Sequence, residues 1–198
     1  DFCDTGFSTI ATFADVAKSH WAWKYIEGLY RSGVTGGCSA SPLMYCPGNS
    51  VTRAQMAIFL LRGIEGMGYT PPPATGIFAD VPNDWTADWI EAFYNLGITS
   101  GCGTSPLRYC PNNYLTRTQM AVFLVRAKHG SSFVPSAATG IFSDVTLDGF
   151  FDGFIEQLYN DSITLGCATS PLRYCPNGLV SRAEMAAFLT RTFDLPLP

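Results

Sequence analysis

The sequence predicts an all-α, mainly helical fold in which three helix–loop–helix units pack together. The first observation is a long repeat: the segment that begins SPLMYCP at Ser41 returns in similar form at Ser105 and Ser170. The second is a shorter signal, FADV at Phe13 and Phe78 and FSDV at Phe142, which sets a period of 65 and then 64 residues. Because a unit this short rarely builds a sufficient core alone, we expect the three units to share one.

The first helix of each unit follows the F-x-D-V signal. Apolar residues recur there at spacings of three and four, which is the period of one helix face; in the second unit they are Trp85, Trp89, Ile90, Phe93, Tyr94 and Leu96. The aspartates of the signal precede these helices and are predicted at the N-cap or in the first turn. They are Asp15, Asp80 and Asp144.

The ends of the first helices carry a turn signal in two of the three units. Gly33 and Gly97 stand where a left-handed residue ends a helix, and glycine adopts this conformation at little cost. Ser162 occupies the position in the third unit. The sequence therefore predicts a different turn there.

The loop that follows carries two cysteines, which predict one local disulfide in each unit. The pairs are eight positions apart: Cys38/Cys46, Cys102/Cys110 and Cys167/Cys175. Zinc would require Cys-x2-Cys pairs or nearby histidines, so no metal is predicted. Disulfides at this density indicate an oxidising compartment outside the cytoplasm. Cys3 is left over, and we expect a free thiol or a bond between chains.

The second helix of each unit is predicted to lie at the centre of the fold. It begins with a capping box, Thr52-x-x-Gln55, Thr116-x-x-Gln119 or Ser181-x-x-Glu184. The run MAIFLL behind the first box is apolar nearly all round, which is typical of a helix buried on most sides. Arg62, Arg126 and Arg191 close these helices, where a cation suits the negative end of the helix dipole.

The sequence predicts three repeats, each preceded and followed by an extended segment. It comprises an N-terminal extension (1–12), a first repeat (13–65), a linker (66–77), a second repeat (78–129), a linker (130–141), a third repeat (142–193) and a C-terminal tail (194–198). The proline-rich stretch TPPPA in the first linker favours an extended chain.

Composition and motifs exclude several classes of function. The net charge of −4 argues against nucleic-acid binding, which requires a basic face. No apolar run approaches the 18 or so residues of a membrane span, so no membrane insertion is expected. Nucleophile elbows, phosphate-binding glycine loops and haem sites are absent from the sequence, so we predict a non-enzymatic protein without cofactors or catalytic residues.

Together these features resemble the S-layer homology family. The stretches FADV, WAWKYIEGLYRSGVTGGC, YCP and TRAQMAIFLLR of the first unit follow the family pattern in order, and three such motifs cover nearly the whole chain. The resemblance implies three motifs intertwined around a pseudo-threefold axis, with binding grooves between neighbours. It also implies non-covalent binding of a cell-wall polymer, a secondary polysaccharide or peptidoglycan. The disulfide in each loop departs from many relatives.

The resemblance assigns glycan-binding roles to Arg53, Arg117 and Arg182, and to Trp21 and Trp85. For the arginines, a salt bridge to a recurring acid of the first helix or its entry signal is the structural alternative, and the sequence leaves both open; these acids are Asp15, Asp80, Asp144, Glu27, Glu91 and Glu156. For the tryptophans, the helical spacing favours core packing over sugar stacking. Phe150 replaces the tryptophan of the third unit, so its site is expected to be the weakest.

Two functions remain after these exclusions, both at the cell surface or in the extracellular envelope. The first is a module that binds cell-wall glycan or peptidoglycan. The alternative is a structural subunit that assembles with itself into a surface layer or filament. No further domain follows the third unit in this sequence, and Cys3 with the segment 1–12 offers a contact between copies, so a homo-oligomer is expected under the alternative.

Overall fold

A computed structural model describes residues 11–147 and 149–198, and this part of the chain contains six helices and three short hairpins. The first helices of the units are α1 (Trp23–Arg31), α3 (Trp85–Asn95) and α5 (Phe151–Asn160). The second helices are α2 (Arg53–Glu65), α4 (Arg117–His129) and α6 (Arg182–Thr192). The hairpins are β1 (Ser39–Ala40) with β2 (Leu43–Met44), β3 (Gly103–Thr104) with β4 (Leu107–Arg108), and β5 (Ala168–Thr169) with β6 (Leu172–Arg173), all antiparallel. The predicted mainly helical fold is confirmed.

The helix contacts between the three units form a closed circle. Each first helix packs on the second helix of the preceding unit: α3 on α2, α5 on α4, and α1 on α6. The second helices meet at the centre, where α4 contacts both α2 and α6. Their central side chains are fully buried, among them Met56, Leu60, Met120, Leu124, Met185 and Leu189. The prediction that the second helices form the centre of the fold is confirmed.

The N-terminus of each second helix is capped partly by its own unit and partly by the next. The capping boxes are present in all three helices. In α2, the next two backbone donors, the N–H groups of Arg53 and Ala54, donate to the carbonyl oxygens of Asn113 and Pro111 at 2.9 and 3.0 Å. The same pairs recur from α4 to Gly178 and Pro176, and from α6 to Asn49 and Pro47. Each disulfide loop, taken together with the three residues after its second cysteine, therefore satisfies helix donors that burial would otherwise leave unpaired.

Three backbone hydrogen bonds form a ring around the pseudo-threefold axis. Val51 N–H donates to the Val180 carbonyl at 2.9 Å, Leu115 to Val51 at 2.9 Å, and Val180 to Leu115 at 3.0 Å. All three side chains are fully buried. Because each residue immediately precedes a capping box, the ring fixes the start of all three second helices at once.

The aspartates of the entry signal do not cap helices, so that prediction is wrong. Asp80 lies five residues before α3, and its two carboxylate oxygens accept the N–H groups of Tyr109 and Cys110, both at 2.8 Å. Asp15 and Asp144 hold the corresponding loops in the same way. Their role is to fold each disulfide loop back onto the entry signal of its own unit.

The first helices all end in the same left-handed turn. Gly33 has φ of 72°, Gly97 has 73° and Ser162 has 59°. The N–H of Ile163 donates to the Leu158 carbonyl at 3.1 Å, which closes the turn after Ser162. The predicted difference in the third unit is therefore wrong. Serine adopts this conformation here despite its steric cost, with its N–H donating to the Tyr159 carbonyl at 2.9 Å.

The three predicted disulfides, Cys38–Cys46, Cys102–Cys110 and Cys167–Cys175, are confirmed. Each closes the loop that also caps a helix of the neighbouring unit. Within residues 11–147 and 149–198, no helix has both the length and the apolar character that a membrane span requires.

Buried glutamates tie the linkers to the first helices. The carboxylate of Glu91 accepts the backbone N–H groups of residues 75–77 at 2.6, 2.6 and 2.9 Å, and Glu156 does the same for residues 139–141. Burial by itself raises the pKa of each carboxyl, but the donated backbone hydrogen bonds outweigh it, so both pKa values lie below the ordinary value. Both carboxylates are therefore held in their charged form.

These glutamates predict a loss of stability in acid. A carboxyl whose pKa is lowered by folding stabilises the protein fully above its unfolded pKa of about 4.3, and this contribution disappears as the pH falls through the folded value. We expect the free energy of unfolding to drop below about pH 4. Glu91→Gln with Glu156→Gln should flatten this drop, measured by urea unfolding between pH 2.5 and 7. An unchanged pH dependence would contradict the assignment.

Removing one disulfide should weaken the whole molecule rather than one unit. The variant Cys102→Ser/Cys110→Ser should lose about 2–3 kcal/mol of stability on the chain-entropy estimate for so short a loop. Because this loop caps α2 of the neighbouring unit, unfolding should remain a single transition. Circular dichroism and tryptophan fluorescence in urea should therefore give coincident curves. A separate transition for one unit would refute the interlocked description.

Candidate functional site

The arginines Arg53, Arg117 and Arg182 lie at the interfaces between units and are only 3 to 4% exposed. Nε of Arg53 donates to the Tyr109 carbonyl at 2.8 Å, and the Tyr109 hydroxyl donates to the Arg53 carbonyl at 2.8 Å. Arg117 makes the same two bonds with Tyr174, and Arg182 makes them with Tyr45. Each arginine therefore fastens its helix to the loop of the next unit.

Aromatic rings enclose each of these guanidinium groups. The Arg53 guanidinium carbon lies 4.8 Å from the centre of the Tyr109 ring and 5.5 Å from that of Phe123, both in the second unit. Such stacking stabilises a cation most when water is excluded. Burial lowers the pKa of Arg53 and of Arg182 below the ordinary arginine value. An arginine remains charged even so, because its ordinary pKa is far above neutrality.

The salt-bridge alternative named the wrong partners. Glu91 binds its linker and Asp80 binds its loop, as described above. The direct ion pair that does form joins Arg117 Nη1 to Glu184 Oε1 at 3.1 Å, across the interface to the capping box of the third unit. The tyrosines Tyr45, Tyr109 and Tyr174 were missed as partners, although their recurrence before the second cysteine of each loop was a visible signal.

Each guanidinium group has one N–H donor whose hydrogen bond is long or missing within the described residues. Nη2 of Arg117 and Nη2 of Arg182 are buried, and neither finds an acceptor within residues 11–147 and 149–198. Nη2 of Arg53 reaches the Gly101 carbonyl at 3.4 Å, which is a long hydrogen bond. A buried charged donor without a good partner is costly in the free protein.

Arg53 lines a cleft of about 210 Å³ to which all three units contribute. The second unit supplies residues 99–101 of its loop, together with Gln119, Val122, Phe123 and Arg126 of α4. The third unit supplies Phe150 and Phe151. The cleft therefore combines a buried cation, loop polar groups and aromatic rings.

An exposed aromatic residue lies at the start of each first helix or just before it. Trp21 is 58% exposed, Trp85 65% and Phe150 55%, so core packing is the wrong interpretation for both tryptophans. Phe150 lines the cleft of Arg53 rather than one of Arg182. Because the repeats are equivalent, the matching cleft of Arg117 would contain Trp21, and that of Arg182 would contain Trp85. The cleft that lacks an indole is therefore the one built on Arg53.

A second set of arginines also joins the units, and the sequence attributed it to the helix dipole alone. The Arg62 guanidinium carbon lies 5.3 Å from the centre of the Trp89 ring in the next unit, and Arg126 and Arg191 lie 5.6 and 5.1 Å from Phe154 and Tyr25. Each also donates from Nη1 to a carbonyl of its own unit, that of Val34, Ile98 or Ile163.

The loop cysteines and the nearby aspartates come close enough to suggest metal sites. In each unit the Asp carboxylate and the two sulfurs lie within 4.8 Å of one another, as with Asp15, Cys38 and Cys46. Metals bind the thiolate form of cysteine, and here both sulfurs are joined in a disulfide. Cys3 lies outside the described residues, so its state and the self-assembly that depends on it stay predictions.

Comparison with known proteins connects this architecture to the cell surface. A family model described as "S-layer homology domain" matches residues 12–39. The chain is 30% identical over 184 residues to the exoglucanase XynX of Acetivibrio thermocellus, which covers 90% of this chain and 16% of that protein. It is 27% identical over 195 residues to a cell surface protein of Thermoanaerobacter kivui, covering 97% of this chain and 22% of that protein.

A third relative is an endoglucanase of Bacillus sp. (strain KSM-635), 38% identical over 115 residues, which is 58% of this chain and 11% of that protein. The chain thus spans less than a quarter of the length of these relatives. In each of them the matching region is one part of a longer protein. The end of this sequence therefore gives no support to the self-assembly alternative.

The interface role of the arginines predicts that charge alone cannot replace them. Arg117→Lys should lower the free energy of unfolding by about 1–3 kcal/mol, because lysine lacks the Nε–H that binds the Tyr174 carbonyl and the planar group that stacks on its ring. The exposed Arg108 supplies the matched control, since Arg108→Lys should change stability by less than about 0.5 kcal/mol. Urea unfolding gives both values. Equal stability of the two variants would contradict the interface assignment.

Proposed function

Since the chain belongs to the S-layer homology family and carries three of its motifs, we propose that it anchors a protein to the cell surface by holding a cell-wall polymer non-covalently. The family provides cell-surface anchoring to cell-wall polymers. The proposal for this chain is that the polymer, a secondary polysaccharide or peptidoglycan, enters the clefts between units. Arg53, Arg117 and Arg182 would provide the cationic contacts, and Trp21 and Trp85 the aromatic ones.

The observation that carries the proposal is the pairing of a buried cation with an exposed ring in one cleft. Arg53 and Phe150 come from different units and line the same 210 Å³ space. Carboxylates on a glycan would accept hydrogen bonds from the guanidinium, and such charge-assisted bonds are about twice as strong as neutral ones. The apolar face of a sugar ring would cover the aromatic side chain. The guanidinium alone would also bind a simple anion, and the ring alone would also bind an uncharged sugar. Both groups together would select an acidic glycan.

We propose a non-catalytic role for this region. The relatives named for glucanase activity are several times longer than this chain, so the activities in their names belong to those whole proteins. Here the buried carboxylates accept backbone hydrogen bonds, as Glu91 and Glu156 do, and are held as anions by them. A carboxylate used in this way supports a linker rather than a proton transfer.

Cell-wall binding can be tested with purified sacculi. Sacculi of Thermoanaerobacter kivui are a reasonable source, because the similarity to its cell surface protein runs along 97% of the chain. The protein should sediment with intact sacculi and be released intact by guanidinium chloride, which distinguishes non-covalent from covalent attachment. Sacculi stripped of secondary polysaccharide would distinguish the two polymers. Failure to sediment with sacculi from a panel of species would refute the proposal.

The exposed tryptophans allow binding to be separated from stability. Trp21→Ala and Trp85→Ala should each weaken sacculus binding by about tenfold, as expected when a central aromatic contact is lost. Their melting temperatures should stay within a few degrees of the parent, because both rings are more than half exposed. Tyr114→Ala is the matched control, since Tyr114 is 56% exposed but does not occupy the repeat position that Trp21, Trp85 and Phe150 share. Equal binding by all three variants would overturn the aromatic role.

A further inference from the structure

A second cavity lies between the 130–141 linker and α5, and it differs in character from the Arg53 cleft. Its volume is about 500 Å³, within the range of pockets that bind small molecules. Most of the wall is apolar: Phe133, Val134, Pro135, Leu147, Phe150 and Phe154. We call this space the linker cavity. Phe150 and Arg126 line both the linker cavity and the Arg53 cleft.

The linker cavity exists because the third unit departs from the second at two adjacent positions. In the second unit, Asp88 accepts the Ala74 N–H at 2.7 Å, and Trp89 packs edge-on against Tyr69 with ring centres 5.9 Å apart. These contacts hold the first linker against α3. In the third unit the corresponding residues are Gly153 and Phe154.

The second linker consequently approaches α5 in another way. Phe133, which corresponds to Tyr69, stacks on His129 with ring centres 4.4 Å apart. Gly153 admits the linker backbone so closely that a Cβ there would lie 2.9 Å from the Ser136 carbonyl oxygen. The linker is therefore held at both ends of the cavity, and the space between is left to apolar side chains.

Arg126 lines the linker cavity and has an N–H group without a hydrogen-bond acceptor in the described part of the chain. Its Nη1 donates to the Ile98 carbonyl at 3.0 Å, but its Nε is buried and has no acceptor within the described residues. Burial lowers the pKa of this guanidinium below the ordinary arginine value. The carboxylate of Asp152 is already occupied, because its oxygens accept the N–H groups of Gly149 and Gly153 at 3.2 and 2.9 Å.

The wall chemistry defines a ligand with one flat apolar part and one anionic group. Rings of Phe150 and Phe154 line the cavity for stacking, while the guanidinium of Arg126 in its wall would attract an anionic group. We propose that the linker cavity is a binding site for small aromatic carboxylates, beside the Arg53 cleft, with which it shares Phe150 and Arg126. The site belongs to the third unit, because it arises from residues that the other two units do not share.

The proposal can be tested on the full chain with 2-naphthoate as the probe. We expect a dissociation constant on the order of 0.1–1 mM, as suits a ligand of about a dozen heavy atoms. Titration followed by ¹H–¹⁵N NMR should shift the amides of Ser132, Ser136 and Gly153. The neutral analogue 2-naphthamide should bind at least tenfold more weakly. Equal affinity for the two compounds, or shifts confined to other parts of the chain, would overturn the site.

Two variants test the cavity without touching the arginine. Phe154→Trp restores the side chain found at this position in the second unit, so it should fold normally and should weaken 2-naphthoate binding at least tenfold by filling the space. Leu147→Lys is an independent test at a side chain that is 57% exposed, where a fold defect is not expected. It should open the apolar wall to water and weaken the binding of 2-naphthamide as well. Unchanged affinity in a folded Phe154→Trp protein would refute the proposal.

Discussion

The ring of backbone hydrogen bonds among Val51, Leu115 and Val180 is the constraint on which the rest of the structure depends. Each bond joins two units, and the third bond can close only when all three units are in place. Immediately beyond the ring, each second helix takes carbonyl partners from the next unit's disulfide loop. A unit separated from its neighbours would lose these bonds and would expose its central apolar side chains to water, which explains why a period of about 64 residues does not make an independent domain.

The interface arginines combine a stabilising contact with the binding role that we propose for them. Nε of Arg53 is committed to the Tyr109 carbonyl, and the guanidinium lies between aromatic rings, so the side chain has little freedom left. A donor held rigidly before a ligand arrives loses little entropy on binding. The unused Nη2 atoms of Arg117 and Arg182 carry a cost in the free protein that an anion would relieve. Stability and the proposed binding therefore rest on different atoms of the same residues.

The third unit demonstrates that one scaffold can present different surfaces. Its ring contacts, disulfide, capping box and left-handed turn follow the other two units, even where Ser162 replaces glycine. Its differences lie at exposed or linker-facing positions, where Phe150, Gly153 and Phe154 stand in place of Trp85, Asp88 and Trp89. Positions that close the circle each make contacts that serve two units. Positions outside it are free to change the chemistry of a cleft, as they do beside the second linker.

Local signals in the sequence determined the helices, the capping boxes, the disulfides and the repeat itself, because each depends on residues a few positions apart. The sequence also singled out the arginines that lie between the units, but not their partners. Tyr109 lies 56 residues from Arg53, and the distance in sequence from Tyr45 to Arg182 is 137. Periodicity placed Trp85 on an apolar helix face, yet this face points partly outwards, since α3 packs on the preceding unit. Only the tertiary structure decided which unit receives each contact, because the circle of contacts closes only when all three units are packed together.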